Sequence, residues 1–172
     1  MKIIQYPVTY LDTINHLRLE SSDDNNAVQR LIRSATRLAE NYTDMNIALR
    51  EHTLIDNTDN GDIVFTANNF RKIESVKIDG SEYSEFDILD ITTFNDNYNT
   101  YLLDLKGAAG EVELKYTTGF AQNECDESIQ TAILLKVGEL YDVDRSGYVF
   151  NNYRSTNSFE RILDYHKRIY FR

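Results

Sequence analysis

The sequence is short of cysteine, proline and tryptophan, with one, one and none in 172 residues, and it has no long hydrophobic run. The single thiol, Cys125, excludes an intrachain disulfide and argues against a cysteine-based zinc site. We interpret it as a small, partly buried side chain near a helix start. No apolar run approaches the roughly 18–20 residues of a membrane-spanning helix, and the N-terminus lacks a signal-peptide pattern. The sequence therefore predicts a soluble protein that is not exported.

Signatures of catalysis are also missing. The three histidines, His16, His52 and His166, fall in different predicted elements, without a second ligand at helical spacing. No serine lies in a G-x-S-x-G context, and the GAAG run at residues 107–110 has no Lys-Ser/Thr after it. We expect no catalytic residue, no cofactor and no enzymatic activity.

Two acidic runs have part of the composition of a calcium loop. They are DDNN at residues 23–26 and DNTDNGD at residues 56–62. Neither run is followed by the glutamate that binds calcium through both of its oxygens. A helix cap explains the first run and a hairpin turn explains the second, so we expect no metal site.

Charge is distributed unevenly along the chain. The formal net charge is −10, and residues 145–172 carry six basic against two acidic side chains, which leaves −14 on residues 1–144. An acidic body is repelled by phosphate backbones, which argues against ordinary nucleic-acid binding. The basic tail either prefers an acidic partner surface or folds back onto its own acidic body.

Apolar residues at three- and four-residue steps predict helices. A short helix follows Pro7, with Thr9 as its N-cap and Asp12 at the capping-box position. A second helix covers residues 27–42 and a third covers residues 129–141, where Gly138 suggests close packing. Their apolar stripe is expected to form the helical core: Leu31, Ile32, Leu38, Tyr42, Ile129, Ile133, Val137 and Leu140. The other faces of the second helix carry Arg30, Arg33, Arg37 and Glu40.

Between residues 46 and 118 the hydrophobic pattern alternates, which predicts strands. Candidate strands cover residues 46–55, 63–66, 73–78, 83–89, 101–105 and 111–116. Asn60-Gly61 and Asp79-Gly80 are typical hairpin turns. Strict alternation in Glu111–Tyr116 predicts one buried and one exposed face.

These patterns predict an α+β fold. A helical core, made by the N-terminal helices and the third helix, contains an inserted small antiparallel β-sheet. A C-terminal extension ends in an amphipathic helix that begins at Ser158. Within one overall domain, the segments are residues 1–45 (helices), 46–118 (β region), 119–146 (third core helix) and 147–172 (extension). Because an isolated helix of about 12–14 residues is marginal in water, the last helix must dock on a surface.

Three stretches carry a resemblance to a known family. They are LDTINHLRLESSDDNNAVQRLIRSATRLAENYT, FRKIESVKIDGSEYSEFDI and VELKYTTGFAQNECDESIQTAILLKVGELYD, which together cover most of residues 10–142. Their order and spacing resemble the head–tail connector (adaptor) proteins of tailed bacteriophages, in the longer form with a β insertion.

The resemblance implies a structural role in the virion neck, with assembly in the host cytoplasm. Such proteins form a ring, usually of twelve subunits, that docks on the portal protein and extends the DNA channel towards other neck or tail proteins. Genomic DNA would pass through without sequence-specific binding, and no membrane is involved. The two long helices would supply part of the ring contact. Portal contacts are expected from the extension: Tyr153, Arg154, Phe159, Ile162, Tyr165, Arg168, Tyr170 and Phe171.

Other functions fit the sequence as well. A different neck component, such as a stopper or tail-completion protein, has similar requirements. A small-ligand or enzymatic α+β domain would use the β region as a pocket. Aromatic and arginine residues in the extension are enriched at protein interfaces, but they also stack on nucleic-acid bases or anchor helices at membranes.

Overall fold

A computed structural model describes residues 1–19, 25–92, 99–145 and 158–167. Four α-helices and eight strands form within these ranges. In chain order they are β1 (Lys2–Gln5), α1 (Tyr10–Leu17), α2 (Asn25–Thr43), β2 (Leu49–Thr58), β3 (Asp62–Thr66), β4 (Phe70–Ile78), β5 (Ser81–Tyr83), β6 (Asp87–Asp90), β7 (Thr100–Asp104), β8 (Gly110–Thr118), α3 (Glu127–Arg145) and α4 (Ser158–Leu163). The mixed α+β class predicted from the sequence is confirmed.

The described residues divide into two compact units. Residues 1–4 and 49–119 form a β unit, whereas residues 5–48 and 120–167 form a helical unit. The chain thus leaves the helical unit after residue 48 and returns to it at residue 120.

The β unit contains two sheets where the sequence predicted one. The larger sheet has the strand order β1-β2-β8-β4-β5, and the smaller has the order β3-β7-β6. Val112 and Leu114 of β8 and Val76 of β4 are fully buried in one cluster with Ile63 and Leu103 of the smaller sheet. The alternation predicted for residues 111–116 is confirmed, because every second side chain enters this cluster while Glu111, Glu113 and Lys115 do not.

One of the two predicted hairpins is confirmed and the other is wrong. Asp79 and Gly80, with φ of 49° and 78°, connect the antiparallel pair β4 and β5. The strands on either side of Asn60-Gly61 belong to different sheets, because β2 pairs with β8 and β3 pairs with β7. A Cβ at Gly61 would lie 2.6 Å from the backbone nitrogen of Gly107, so a close approach of two chain segments requires glycine there.

The helical unit has its own apolar cluster. Ala35 and Ala39 of α2 are fully buried against Ala132, Ile133 and Val137 of α3. At α1, the predicted capping box is confirmed, because Asp12 N donates to Thr9 Oγ1 and the Asp12 carboxylate accepts from Thr9 N. The predicted first, second and third helices are present, and each long helix extends two to four residues beyond one or both of its predicted ends.

Gly138 is not required by the packing of α3, contrary to the sequence interpretation. A Cβ at this position would lie 3.6 Å from Leu17 Cδ2, an ordinary van der Waals distance, in a helix where glycine has a large entropic cost. We therefore expect Gly138→Ala to raise the free energy of unfolding by about 0.5–1 kcal/mol. Urea denaturation of the two proteins would measure the difference. A destabilised alanine variant would contradict the available space.

Candidate assembly surfaces

The helix α4 docks on the helical unit of its own chain. Leu163 is 0% exposed within the cluster formed by α2 and α3, and Phe159 and Ile162 pack partly buried against the same cluster. The helix ends at Leu163, and a 3-10 turn over Asp164–His166 follows. The predicted amphipathic helix is therefore shorter than the sequence pattern suggested, and its apolar side is satisfied within the protomer.

Polar and cationic contacts fix the segment 158–167 on α2 and α3. The Tyr42 hydroxyl donates to Asp164 Oδ1 at 2.5 Å, and this hydrogen bond raises the pKa of Tyr42 to about 12. Lys167 Nζ lies 4.8 Å from the centre of the Tyr42 ring, and Lys136 Nζ lies 5.4 Å from the centre of the Phe159 ring. These contacts hold both ends of the segment 158–167.

A second group of contacts joins the segment after α4 to the start of α3. Asp126 caps α3 by accepting from the backbone N–H and the hydroxyl of Ser128, at 2.8 and 2.6 Å. The Ser128 hydroxyl hydrogen bond lowers the pKa of Asp126. His166 Nε2 lies 2.7 Å from Ser128 Oγ and 4.0 Å from the Asp126 carboxylate. The turn after α4 is thus anchored to the first turn of α3.

The predicted portal-binding residues that the structure describes differ in exposure. Phe159 and Ile162 face the helical core of their own chain, so little of either side chain is left for a partner. The Tyr165 side chain is 92% exposed. It borders a groove of about 670 Å³ that is also lined by Ser128, Ser158, Arg161, Ile162 and Asp164. Five predicted contacts lie outside the described residues: Tyr153, Arg154, Arg168, Tyr170 and Phe171.

The predicted core and ring residues are mostly buried within one chain. Five of them are buried and Tyr42 and Leu140 are partly buried in the helical cluster, while Leu38 is exposed. The five buried residues are Leu31, Ile32, Ile129, Ile133 and Val137. Among these eight residues, Leu38 is the one most available for a contact between subunits.

Glu40 is a structural residue that the sequence pattern assigned to an exposed face. Its side chain is buried, and Oε1 accepts from the backbone N–H groups of Ile47 and Ala48, both at 2.9 Å. Ala48 pairs with Phe120 in an isolated parallel bridge, and Phe120 N donates to Ile47 O. Glu40 therefore stabilises the place where the chain leaves and re-enters the helical unit.

The outer face of the three-stranded sheet presents two rows of side chains. Asp62, Asp104 and Asp87 are direct cross-strand neighbours and form an acidic row. Two residues away on each strand, Val64, Leu102 and Leu89 form an aliphatic row. Val64 and Leu89 are 55% and 50% exposed. We refer to these six residues as the β3-β7-β6 face.

Lys106 partly neutralises the acidic row. Its ammonium group contacts the carboxylates of Asp104, at 3.0 Å, and Asp87. The hydrogen bonds from Lys106 lower the pKa of Asp104, and the pKa of Lys106 is raised, first by its bond to Asp87. Three carboxylates against one ammonium group still leave this row negatively charged.

Cys125 is buried near the start of α3, as predicted. Burial raises the pKa of its thiol to about 12, so little thiolate is present near neutral pH. Because the thiolate is the reactive form, we expect Cys125 to react with a disulfide reagent at pH 8 at least about 100-fold more slowly in the folded protein than in denaturant. Absorbance of the released chromophore would follow the reaction. Equal rates in the two conditions would contradict the burial of the thiol.

The described parts of the chain contain neither a cluster of metal ligands nor a membrane-spanning helix. No three or more His, Cys, Asp and Glu side chains in the described ranges are grouped as metal ligands would be. His52 stacks on Tyr116 with ring centres 4.9 Å apart, and burial lowers its pKa. None of the described helices is long and apolar enough to cross a bilayer.

Comparison with known proteins gives matches in structure. No protein-family model and no curated protein sequence matches the chain. A chain in the neck of an empty gene transfer agent (GTA) particle, computed with C6 symmetry, has a TM-score of 0.66 at 14% identity. That match covers 100% of this chain and 96% of the other. At such low identity, the similarity establishes a shared fold.

Two further structures contain chains with this fold. A chain in the virion of a native GTA particle has a TM-score of 0.62 at 12% identity, and one in the neck of a native GTA particle, computed with C12 symmetry, has 0.59 at 13%. Each match covers 100% of this chain and 98% of the other. The architecture thus occurs, end to end, in proteins of the neck and virion of these particles.

Proposed function

We propose that this protein is a structural component of the neck of a phage-like particle. In particular, we propose a ring-forming head–tail connector, or adaptor, that docks on the portal protein, extends the DNA channel and links the capsid to the tail. The observation that carries this proposal is the fold match over the full length of the chain to proteins of GTA necks. A structural role of this kind requires surfaces for assembly and no catalytic centre.

The symmetry of the matched assemblies supports a ring. One matched neck was computed with C12 symmetry and another with C6 symmetry, and both are compatible with twelve copies around one axis. Identical subunits related by such an axis each use two different surfaces, one for each neighbour. Repeating this contact around the axis closes a ring. An acidic protein with a net charge of −10 would also repel the phosphates of DNA passing through the ring.

The C-terminal segment supports a portal contact. The segment 158–167 is held on its own subunit through Leu163 and through the bond from Tyr42 to Asp164. Lys167, which precedes the last five residues of the chain, therefore has a defined position. Tyr165 is exposed beside an open groove that also contains Arg161. Tyrosine and arginine are common at the energetic centres of protein interfaces. We assign portal binding to this groove and to residues 168–172.

The test is to image the protein mixed with the portal protein of the same particle. A ring stacked coaxially on the portal is expected. Removing residues 168–172 keeps Leu163 in place and should abolish binding without unfolding α4. Tyr165→Ala should weaken binding by about 10–30-fold. Ile55→Ala, at a residue 61% exposed on the β unit, serves as the matched control and should bind normally.

The outcomes separate the neck components. A ring that binds the portal supports the adaptor. A ring that binds another neck protein but ignores the portal would instead identify a stopper or tail-completion protein. A monomer that binds neither would overturn the proposal of a neck function.

A further inference from the structure

We propose that subunits contact each other through the β3-β7-β6 face of one copy and an arginine stripe on α2 of the next. This inference rests on the proposed ring and specifies which surfaces close it. The occupant of the exposed sheet face is thus a second copy of the same chain. Charge complementarity between two surfaces of this chain carries the argument.

The arginine stripe lies opposite the buried side of α2. Arg30, Arg33 and Arg37 follow each other at three and four residues, which places them on one face of a helix. All three are exposed, whereas Val28, Ile32, Ala35 and Ala39 on the other side are buried. The single glutamate of α2, Glu40, points inward to the backbone of residues 47 and 48. The exposed charged side chains of α2 are therefore all arginines.

The spacing of the arginines matches the spacing of the acidic row. Arg30 and Arg37 are seven residues apart, or roughly 10.5 Å along the helix axis. Asp62 and Asp87 are separated by one intervening strand, or roughly 9.6 Å. Arg33 and Asp104 lie between these pairs. A helix crossing the three strands can thus place one arginine near each carboxylate, where guanidinium groups bind carboxylates well.

Apolar side chains accompany the charges on both surfaces. Beside the acidic row, Val64 and Leu89 expose about half of their side chains, and Ile91 is 40% exposed beyond them. Leu38, on the flank of the arginine stripe, is 39% exposed. Contact between these residues would remove aliphatic surface from water while the charges set the register. The sheet face and the helix face differ, so the contact is heterologous, as a closed ring requires.

Charge exchange between the two surfaces tests the proposal. Variant one carries Arg33→Glu and Arg37→Glu, and variant two carries Asp62→Lys and Asp87→Lys. In each variant the two proposed surfaces repel, so the concentration needed for ring formation should rise about 100-fold or more. In an equimolar mixture, each contact joins opposite charges again, and rings of alternating subunits should form. A chain with all four substitutions should also form rings.

Glu82→Lys with Glu111→Lys changes the net charge as much as variant two does, but on β5 and β8 of the larger sheet, and should assemble normally. Sedimentation and negative-stain imaging of the full-length chain, alone and on the portal, would follow the rings. Normal rings from the separate variants, or no recovery in the mixture, would overturn the contact. A wild-type chain that forms no ring under any of these conditions would overturn the proposed function as well.

Discussion

Replacing Leu163 with alanine should lower the free energy of unfolding by about 2–3 kcal/mol. Leu163 is fully buried between α4 and the helical core, so the shorter side chain either leaves a cavity or releases α4. If α4 is released, the loss of stability cannot exceed the free energy with which α4 docks on the helical core. Urea denaturation of the isolated protein, at a concentration too low for assembly, would measure the change.

Tyr165→Ala is the matched control for this prediction. It removes a larger side chain from the same segment, but one that is 92% exposed, so stability should change by no more than about 0.5 kcal/mol. If Leu163→Ala were as stable as wild type, α4 would not be docked on its own chain in solution. In that case a neighbouring molecule would have to cover the apolar side of α4.

Replacing Glu40 with alanine should cost about 2–4 kcal/mol of stability. The substitution leaves the buried N–H groups of Ile47 and Ala48 without the carboxylate that accepts from both. Each unsatisfied buried donor costs about 1–3 kcal/mol. Thermal and urea denaturation would both detect the loss.

Glu40→Gln separates the role of the acceptor from the role of the charge. The glutamine carbonyl oxygen can still accept from both N–H groups, although neutral acceptors form weaker bonds than carboxylates. We expect a loss of about 1 kcal/mol for glutamine, well below that for alanine. Equal losses for the two variants would mean that the negative charge, and not the acceptor, stabilises this corner. A stable alanine variant would mean that water replaces the carboxylate.

The helices were predictable because their signals are local. The capping box of Thr9 and Asp12 and the three- and four-residue apolar steps of α2 and α3 depend on neighbours within one or two turns. At the edge of an apolar stripe the prediction fails. Leu38 is exposed and Glu40 is buried, although simple periodicity suggests the reverse. Glu40 is buried because its carboxylate bonds to residues beyond the helix, and no local pattern records this.

The sheets were predicted less well, because strand pairing depends on distant residues. Asp79-Gly80 joins paired strands, but the same kind of dipeptide at Asn60-Gly61 passes the chain from one sheet to the other. The alternation of exposed and buried residues in β3 does not indicate which of the two sheets the strand joins. The short strand β1 gave no alternation from which it could be recognised, and it forms through its pairing with β2.

The candidate surfaces also show what a sequence pattern can and cannot predict. The apolar stripe and short length of the last helix indicated that it must dock, and α4 does dock, but on its own chain. The β3-β7-β6 face was not found from the sequence. Asp62, Asp87 and Asp104 are separated by up to 42 positions, and cross-strand register alone places them in one row.

The bridge between Ala48 and Phe120 has a consequence for how such proteins diversify. The chain leaves the helical unit at Ala48 and returns at Phe120, and these two residues are neighbours. A backbone hydrogen bond from Phe120 to Ile47 and the carboxylate of Glu40 hold them in place. Residues 49–119, which lie between these two points, can become longer or shorter, or be exchanged by recombination, while the helices keep their packing. Evolution can thus exchange the β unit between residues 48 and 120 without changing the helices that hold its two ends together.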